Sequence, residues 1–266
     1  MTELDAERVG EYFARPQTVA QWWTPDEGPL AFHYDAELEV LADHVPVREG
    51  ERVLDVGTGR GRFGAWFAGR GCRVLGVDVN PDMLEAARET ARQRGVEERF
   101  QVRRARAEEL GQLGEPPFDL VSCMELFDHL PDLGGALRAM RGVLRPDGRL
   151  VFTYVPSESL YGALGNLYRR WTARRRPQEL MISRTYSLDD VRGHLAASGF
   201  ALERFWGVGV LCINAQTRLF GKSAPARALL ALARAEAQRR PYHSAPWLAR
   251  HGAHVVGLAR AVGTAP

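Results

Sequence analysis

One stretch limits what this chain can fold into. Arg52-Val53-Leu54-Asp55-Val56 is an apolar strand that runs into Gly57-Thr58-Gly59-Arg60-Gly61, and Phe63-Gly64-Ala65-Trp66-Phe67-Ala68 then opens a helix. Glycines at 57, 59 and 61 remove the β-carbons that would hold a ligand away from the backbone. A second apolar strand, Arg73-Val74-Leu75-Gly76-Val77-Asp78, ends in a carboxylate. That acid lies about 20 residues beyond the glycines, the interval at which βαβ folds set an acid against a ribose.

Two ligands compete for such a turn. A dinucleotide site asks for G-x-G-x-x-G, with pyrophosphate seated on the helix N-terminus. Here Arg62 holds the sixth position and Asp55 stands inside the strand. A buried anion at Asp55 disfavours pyrophosphate and suits a cationic ligand. The pattern D-x-G-x-G-x-G, followed by a strand ending in Asp, resembles the class I S-adenosylmethionine (SAM)-dependent methyltransferases. The resemblance implies a SAM site built from Asp55, Gly57, Thr58 and Gly59. It also implies that Asp78 binds the ribose hydroxyls and that Val79 and Met83 contact adenine. Asn80 is the better-placed N-cap for the helix that follows, which leaves Asp78 for the ligand.

Further along, the likeness both continues and breaks. After a third strand, Phe100 to Arg104, the family's usual D-A-x-x-L reads Arg106-Ala107-Glu108-Glu109-Leu110. Arg has no acceptor for the adenine amino group. Glu108 or a backbone carbonyl is left to supply one, while the Ala107 amide still faces the ring edge. Pro117-Phe118-Asp119-Leu120-Val121 leads through Met124 to His129-Leu130-Pro131-Asp132, similar to the family's F-D-x-V and H-L-P-D. By that resemblance the backbone at Met124 touches the cofactor's methionine part and His129 lies where the methyl group leaves. His129 is the candidate general base, oriented by Asp128 or Asp132; its alternative role is to cap the turn.

Before the first strand, aromatic side chains crowd together: Tyr12, Phe13, Trp22, Trp23, Phe32, His33 and Tyr34. Either they staple a leading helix to the domain, or Tyr12, Trp22, Trp23 and Tyr34 form a lid over ligand and acceptor, where ring faces attract a sulfonium. The Arg174-Arg175-Arg176 run reads as a solvated helix end, because Lys222 is the chain's sole lysine and arginine is its default cation. A net charge of +2 gives no ground for a nucleic-acid partner. Cys72, Cys123 and Cys212 are too few and scattered for a disulfide framework. His251 and His254 share the spacing of some metal pairs, but no acid or third ligand accompanies them in sequence, so no metal is expected. Gly221-Lys222-Ser223 lacks the first glycine of a phosphate loop. No apolar run is long enough to span a bilayer, and Thr2-Glu3-Leu4-Asp5 lacks the pattern of a signal peptide, so a cytoplasmic location is expected.

The 266 residues are enough for one generous domain. The expected fold is α/β: a doubly wound, Rossmann-like, seven-stranded sheet, mostly parallel with an antiparallel last strand. Residues 1–37 are expected as an aromatic-rich cap, 38–155 as the SAM-binding core, and 156–266 as the rest of the domain with cap insertions. The expected activity is SAM-dependent O- or C-methylation of a small organic acceptor in specialised metabolism. No membrane partner is expected, and a homodimer through the helix at 226–239 is one option. The rival readings are a nicotinamide-dependent oxidoreductase and a non-catalytic SAM-binding protein.

Overall fold

The computed structural model describes residue 9 and residues 11–13, 31–160, 162–167, 184–211, 224–239 and 245–263. Trp22, Trp23, Arg174–Arg176, Cys212 and Gly221–Ser223 lie outside the described residues. Seven strands among those described form one sheet: β1 (Arg52–Val56), β2 (Arg73–Asp78), β3 (Phe100–Arg104), β4 (Phe118–Cys123), β5 (Leu144–Tyr154), β6 (Phe200–Val208) and β7 (His254–Ala261). Their order is β3-β2-β1-β4-β5-β7-β6. Neighbours are parallel from β3 to β5, and β7 runs antiparallel to both β5 and β6. This is the doubly wound sheet with an antiparallel last strand. Strand order reverses between β1 and β4, and a ligand crevice is expected outside the carboxyl ends there.

The helices are α1 (Ala31–His44), α2 (Arg62–Ala68), α3 (Pro81–Gln93), α4 (Leu133–Gly142), α5 (Leu188–Ala197), α6 (Ala224–Arg239) and α7 (Pro246–Ala249). Asn80 caps α3 by accepting the Asp82 N–H at 2.8 Å, with Pro81 in the first turn. Met83, Leu84, Ala87 and Ala91, at helical spacing, form its buried face. Ser187 and Asp190 form a capping box on α5. Helix α1 buries His33, Ala36, Glu37, Val40 and Leu41. That is a single helical stripe whose N-terminal end is polar.

Arg145-Pro146-Asp147-Gly148 lies inside the bounds of β5. Phe118 pairs with Leu144 and Leu120 pairs with Arg149, so one residue of β4 faces an excursion of β5. Arg145, Pro146 and Asp147 are exposed, and Leu144 stays buried. Helix α6 packs against α1: Leu230 joins Phe32, Tyr34 and Ala253, and the Glu236 carboxylate accepts the N–H groups of Val210 and Leu211. No helix among the described residues is long and apolar enough to cross a membrane.

Candidate active site

A clamp fixes the glycine turn between β1 and β2. The N–H groups of Gly57 and Thr58 both donate to the Val77 carbonyl, at 2.8 and 2.9 Å. Gly57 and Gly61 sit at φ 70° and 80°. A β-carbon at Gly61 would come within 2.7 Å of the Phe100 ring, so glycine is required there for space as well as for backbone angle. Asp55 lies beneath the turn, 2% exposed. Its carboxylate accepts the Thr58 hydroxyl at 2.6 Å, the Ser122 hydroxyl at 2.8 Å and the backbone N–H of Gly64. Burial pushes the carboxyl up to about 6 despite those bonds. Asp55 and Thr58 are therefore turned to each other, under the cleft rather than along it, and the first turn of α2 already has its anion.

At the carboxyl ends of the strands a cleft of about 120 Å³ opens. Of the residues expected around SAM, Gly57, Gly59, Asp78, Val79, Met83, Arg106 and Ala107 line it, and so does His129. Asp78 holds the Gly59 N–H with one carboxylate oxygen at 3.0 Å and the Asn80 N–H with the other at 2.9 Å. Burial raises its pKa. Arg106 is half-exposed, with its guanidinium 3.7 Å from Glu108. The Met124 side chain is buried in the core, and the next residues, Glu125 and Leu126, face the cleft instead.

The two acids expected to orient His129 each hold a backbone N–H group. Asp128 is buried and accepts the Val155 N–H at 3.0 Å. Asp132 caps α4 through Gly135 N–H at 2.8 Å. The His129 ring packs edge-on against Phe13, with centroids 4.9 Å apart. Phe13 and Val9 line the cleft, and the Phe13 carbonyl accepts the Asn80 side-chain amide at 2.6 Å. Tyr12 stands edge-on behind Phe13, with centroids 5.3 Å apart. Tyr34 lies beside His33 and under the Arg62 guanidinium, away from the cleft. Sequence reasoning had grouped Phe13 with the aromatics without singling it out.

The lining fits the donor set of SAM. Asp78 offers carboxylate oxygens to a vicinal diol, and Val79, Met83, Ala107 and Leu130 make an apolar slot for a flat ring. Two carboxylates, Asp78 and Glu108, face the cleft beside one half-exposed arginine, together with the Glu125 carboxyl, which burial pushes up to about 8. That balance favours a sulfonium and opposes a pyrophosphate. Arg62, where a dinucleotide site needs its third glycine, is buried over the Tyr34 and Phe63 rings.

Residues 54–152 match the family described as "Methyltransferase domain". A ubiquinone biosynthesis O-methyltransferase of Acinetobacter baylyi is 30% identical over 170 residues, 62% of this chain and 70% of the relative. The chain belongs to the class I SAM-dependent methyltransferases. The corresponding protein of Alkalilimnicola ehrlichii is 34% identical over 155 residues, 56% of this chain and 62% of the relative. The chain thus spans rather less than two thirds of that relative's length. Membership indicates SAM as the cofactor. Among solved structures, magnesium protoporphyrin IX methyltransferase from Synechocystis with bound SAH superposes with a TM-score of 0.61, at 16% identity over 97% of this chain and 100% of that one. The [4+2]-cyclase SpnF gives 0.67, at 20% identity over 99% and 98%. These two show the fold alone, and a cyclase on this fold means that activity has to be argued from the site.

One cluster was not legible in sequence. His254, dismissed as a ligand for want of an acid and a third donor, has both in space, since Glu37 and His33 of α1 reach it. His251 instead meets the Glu158 carbonyl at 3.0 Å. The signal was available in the stripe at 33, 36, 37, 40 and 41, where His and Glu occupy positions that an ordinary amphipathic helix fills with apolar residues.

Proposed function

We propose that this chain transfers the methyl group of SAM to an oxygen of a small organic acceptor. The observation that carries the reading is Asp78. It closes β2 beside the glycine turn, its carboxylate is fixed by two backbone N–H groups, and it faces a cleft whose ionic lining is mainly anionic. Oxygen as the target is supported by the relatives' names, which are O-methyltransferases of ubiquinone biosynthesis. Asp78, Val79, Met83, Ala107 and the turn at Gly57–Gly59 would hold the cofactor. When bound, it supplies a methyl group already activated by the sulfonium.

The chain's own residues have three tasks. Phe13, Leu126 and Leu130 exclude water from the acceptor end of the cleft. The N-terminal helical segment, tied to Asn80 through the Phe13 carbonyl, acts as a lid that aligns the acceptor. His129 takes the acceptor's hydroxyl proton on its imidazole nitrogen. Calorimetry tests the reading: SAM and its demethylated product should bind, NADH should not, and Asp78→Ala should weaken SAM by about 1.5–3 kcal/mol, the worth of hydrogen bonds to a charged group. Unchanged affinity in that variant removes Asp78 from the site, and NADH binding in place of SAM overturns the reading.

A further inference from the structure

A second polar centre lies behind the acceptor end of the cleft. His33 and Glu37 are four residues apart on α1, so their side chains leave the same face. Strand β7 is antiparallel to β5, which brings its first residue, His254, to the carboxyl end of the parallel strands. There His33 Nε2 is 3.3 Å from His254 Nδ1, and Glu37 Oε1 is 2.6 Å from the same nitrogen. All three donor atoms lie within 4.8 Å of one another, and His33 and Glu37 are buried. Hydrogen bonding satisfies this arrangement poorly. Nδ1 has one site for both Glu37 and His33 Nε2, and His33 Nδ1 has no hydrogen-bond partner, while Glu37 also meets the Glu125 carboxyl.

We propose that His33 Nε2, Glu37 Oε1 and His254 Nδ1 are the ligands of a divalent transition-metal ion of the zinc type, clamped between α1 and β7. Two imidazoles and one carboxylate are a common donor set for such an ion, and three protein ligands leave a fourth position open. Bonds of about 2.0–2.1 Å in a tetrahedron put neighbouring donors about 3.3 Å apart. The two imidazole nitrogens already stand at 3.3 Å. The Glu37–His254 contact, at 2.6 Å, must widen by about 0.7 Å, which replacing a shared proton by a metal does. The surrounding charge allows it. Glu125, whose buried carboxyl neighbours Glu37 and His254, also lines the cleft and marks the way in. Glu37 and Asp35 oppose the Arg62 guanidinium, and the Glu125 carboxyl, held up to about 8 by burial and by Glu37, stands beside them.

The test uses untagged full-length protein and does not depend on methyl transfer. After incubation with zinc and dialysis, the chain should retain about one zinc per molecule and melt at a higher temperature than the chelator-treated protein. Cobalt(II) should give the intense visible bands of a tetrahedral site. His33→Gln and His254→Gln, checked for folding by circular dichroism, should weaken zinc binding by more than the 10–100-fold typical of losing an outer-shell partner, roughly 100-fold or beyond. Wild-type protein that holds no zinc and gives only octahedral cobalt spectra overturns the proposal without recourse to variants. Folded variants that bind zinc as tightly as wild type also overturn it.

Discussion

Asp55 makes a prediction about stability that its hydrogen bonds alone would reverse. The carboxylate accepts two hydroxyls and a backbone N–H, an environment that by itself favours the anion, yet complete burial outweighs it and the folded pKa rises from 3.8 to about 6. The sign follows from linkage. Below pH 3.8 Asp55 is neutral in both states. Between 3.8 and 6 the unfolded chain ionises while the folded chain keeps its proton, so stability falls; above 6 the deficit is constant. At 1.36 kcal/mol per pH unit the deficit reaches about 3 kcal/mol, a large share of a typical domain's 5–15 kcal/mol. Asp55→Asn keeps an acceptor and cannot ionise. Urea unfolding of both proteins from pH 4 to 8 should therefore show the variant gaining roughly 2–2.5 kcal/mol on wild type as pH rises to 7, the rest of the deficit being present already at pH 4. The absolute offset depends on how Thr58, Ser122 and Gly64 re-pair with the amide, whereas the slope does not. A difference that stays constant across this range refutes the dominance of burial, and a slope of opposite sign would mean that the hydrogen bonds win.

Other expectations concern the cleft. Arg106→Asp should leave SAM affinity equal or improved in calorimetry, because it supplies an acceptor where Arg106 makes only a 3.7 Å contact with Glu108; a large loss would give Arg106 a role of its own. Amide exchange at residues 9–13 should slow when SAM is added if this segment closes as a lid, and equal exchange would make Phe13 purely structural. His129→Asn should bind SAM normally and lose roughly 10²-fold or more in turnover, the usual worth of a positioned base; near-normal turnover with an accepted substrate removes His129 from proton transfer.

What could be read from the sequence was local, and what could not was a matter of direction or distance. The bounds of β1, β2 and β3, the Asn80 cap and the inner face of α3 follow from periodicity and capping over a few residues. The Asp55 and Asp78 positions were equally plain, but a motif gives positions and not the bonds made there. Only coordinates reveal that Asp55 turns to Thr58 and Ser122 while Asp78 stays on the cleft. Tyr12 and Phe13 differ by about 100° around a helix, which decides whether one ring or its neighbour faces His129. The His33–Glu37–His254 cluster joins residues more than 200 positions apart. It exists because β7 enters the sheet antiparallel and starts where the other strands end. The antiparallel strand was anticipated from resemblance, and a leading helix stapled to the domain was one of the two readings of the N-terminal aromatics. Combining the two would have put the first residue of β7 beside the N-terminal end of α1, where the helix's buried stripe carries a histidine and a glutamate. A polar residue on a core-facing stripe therefore has to be asked what the topology brings opposite it, and here that question leads to a candidate metal centre.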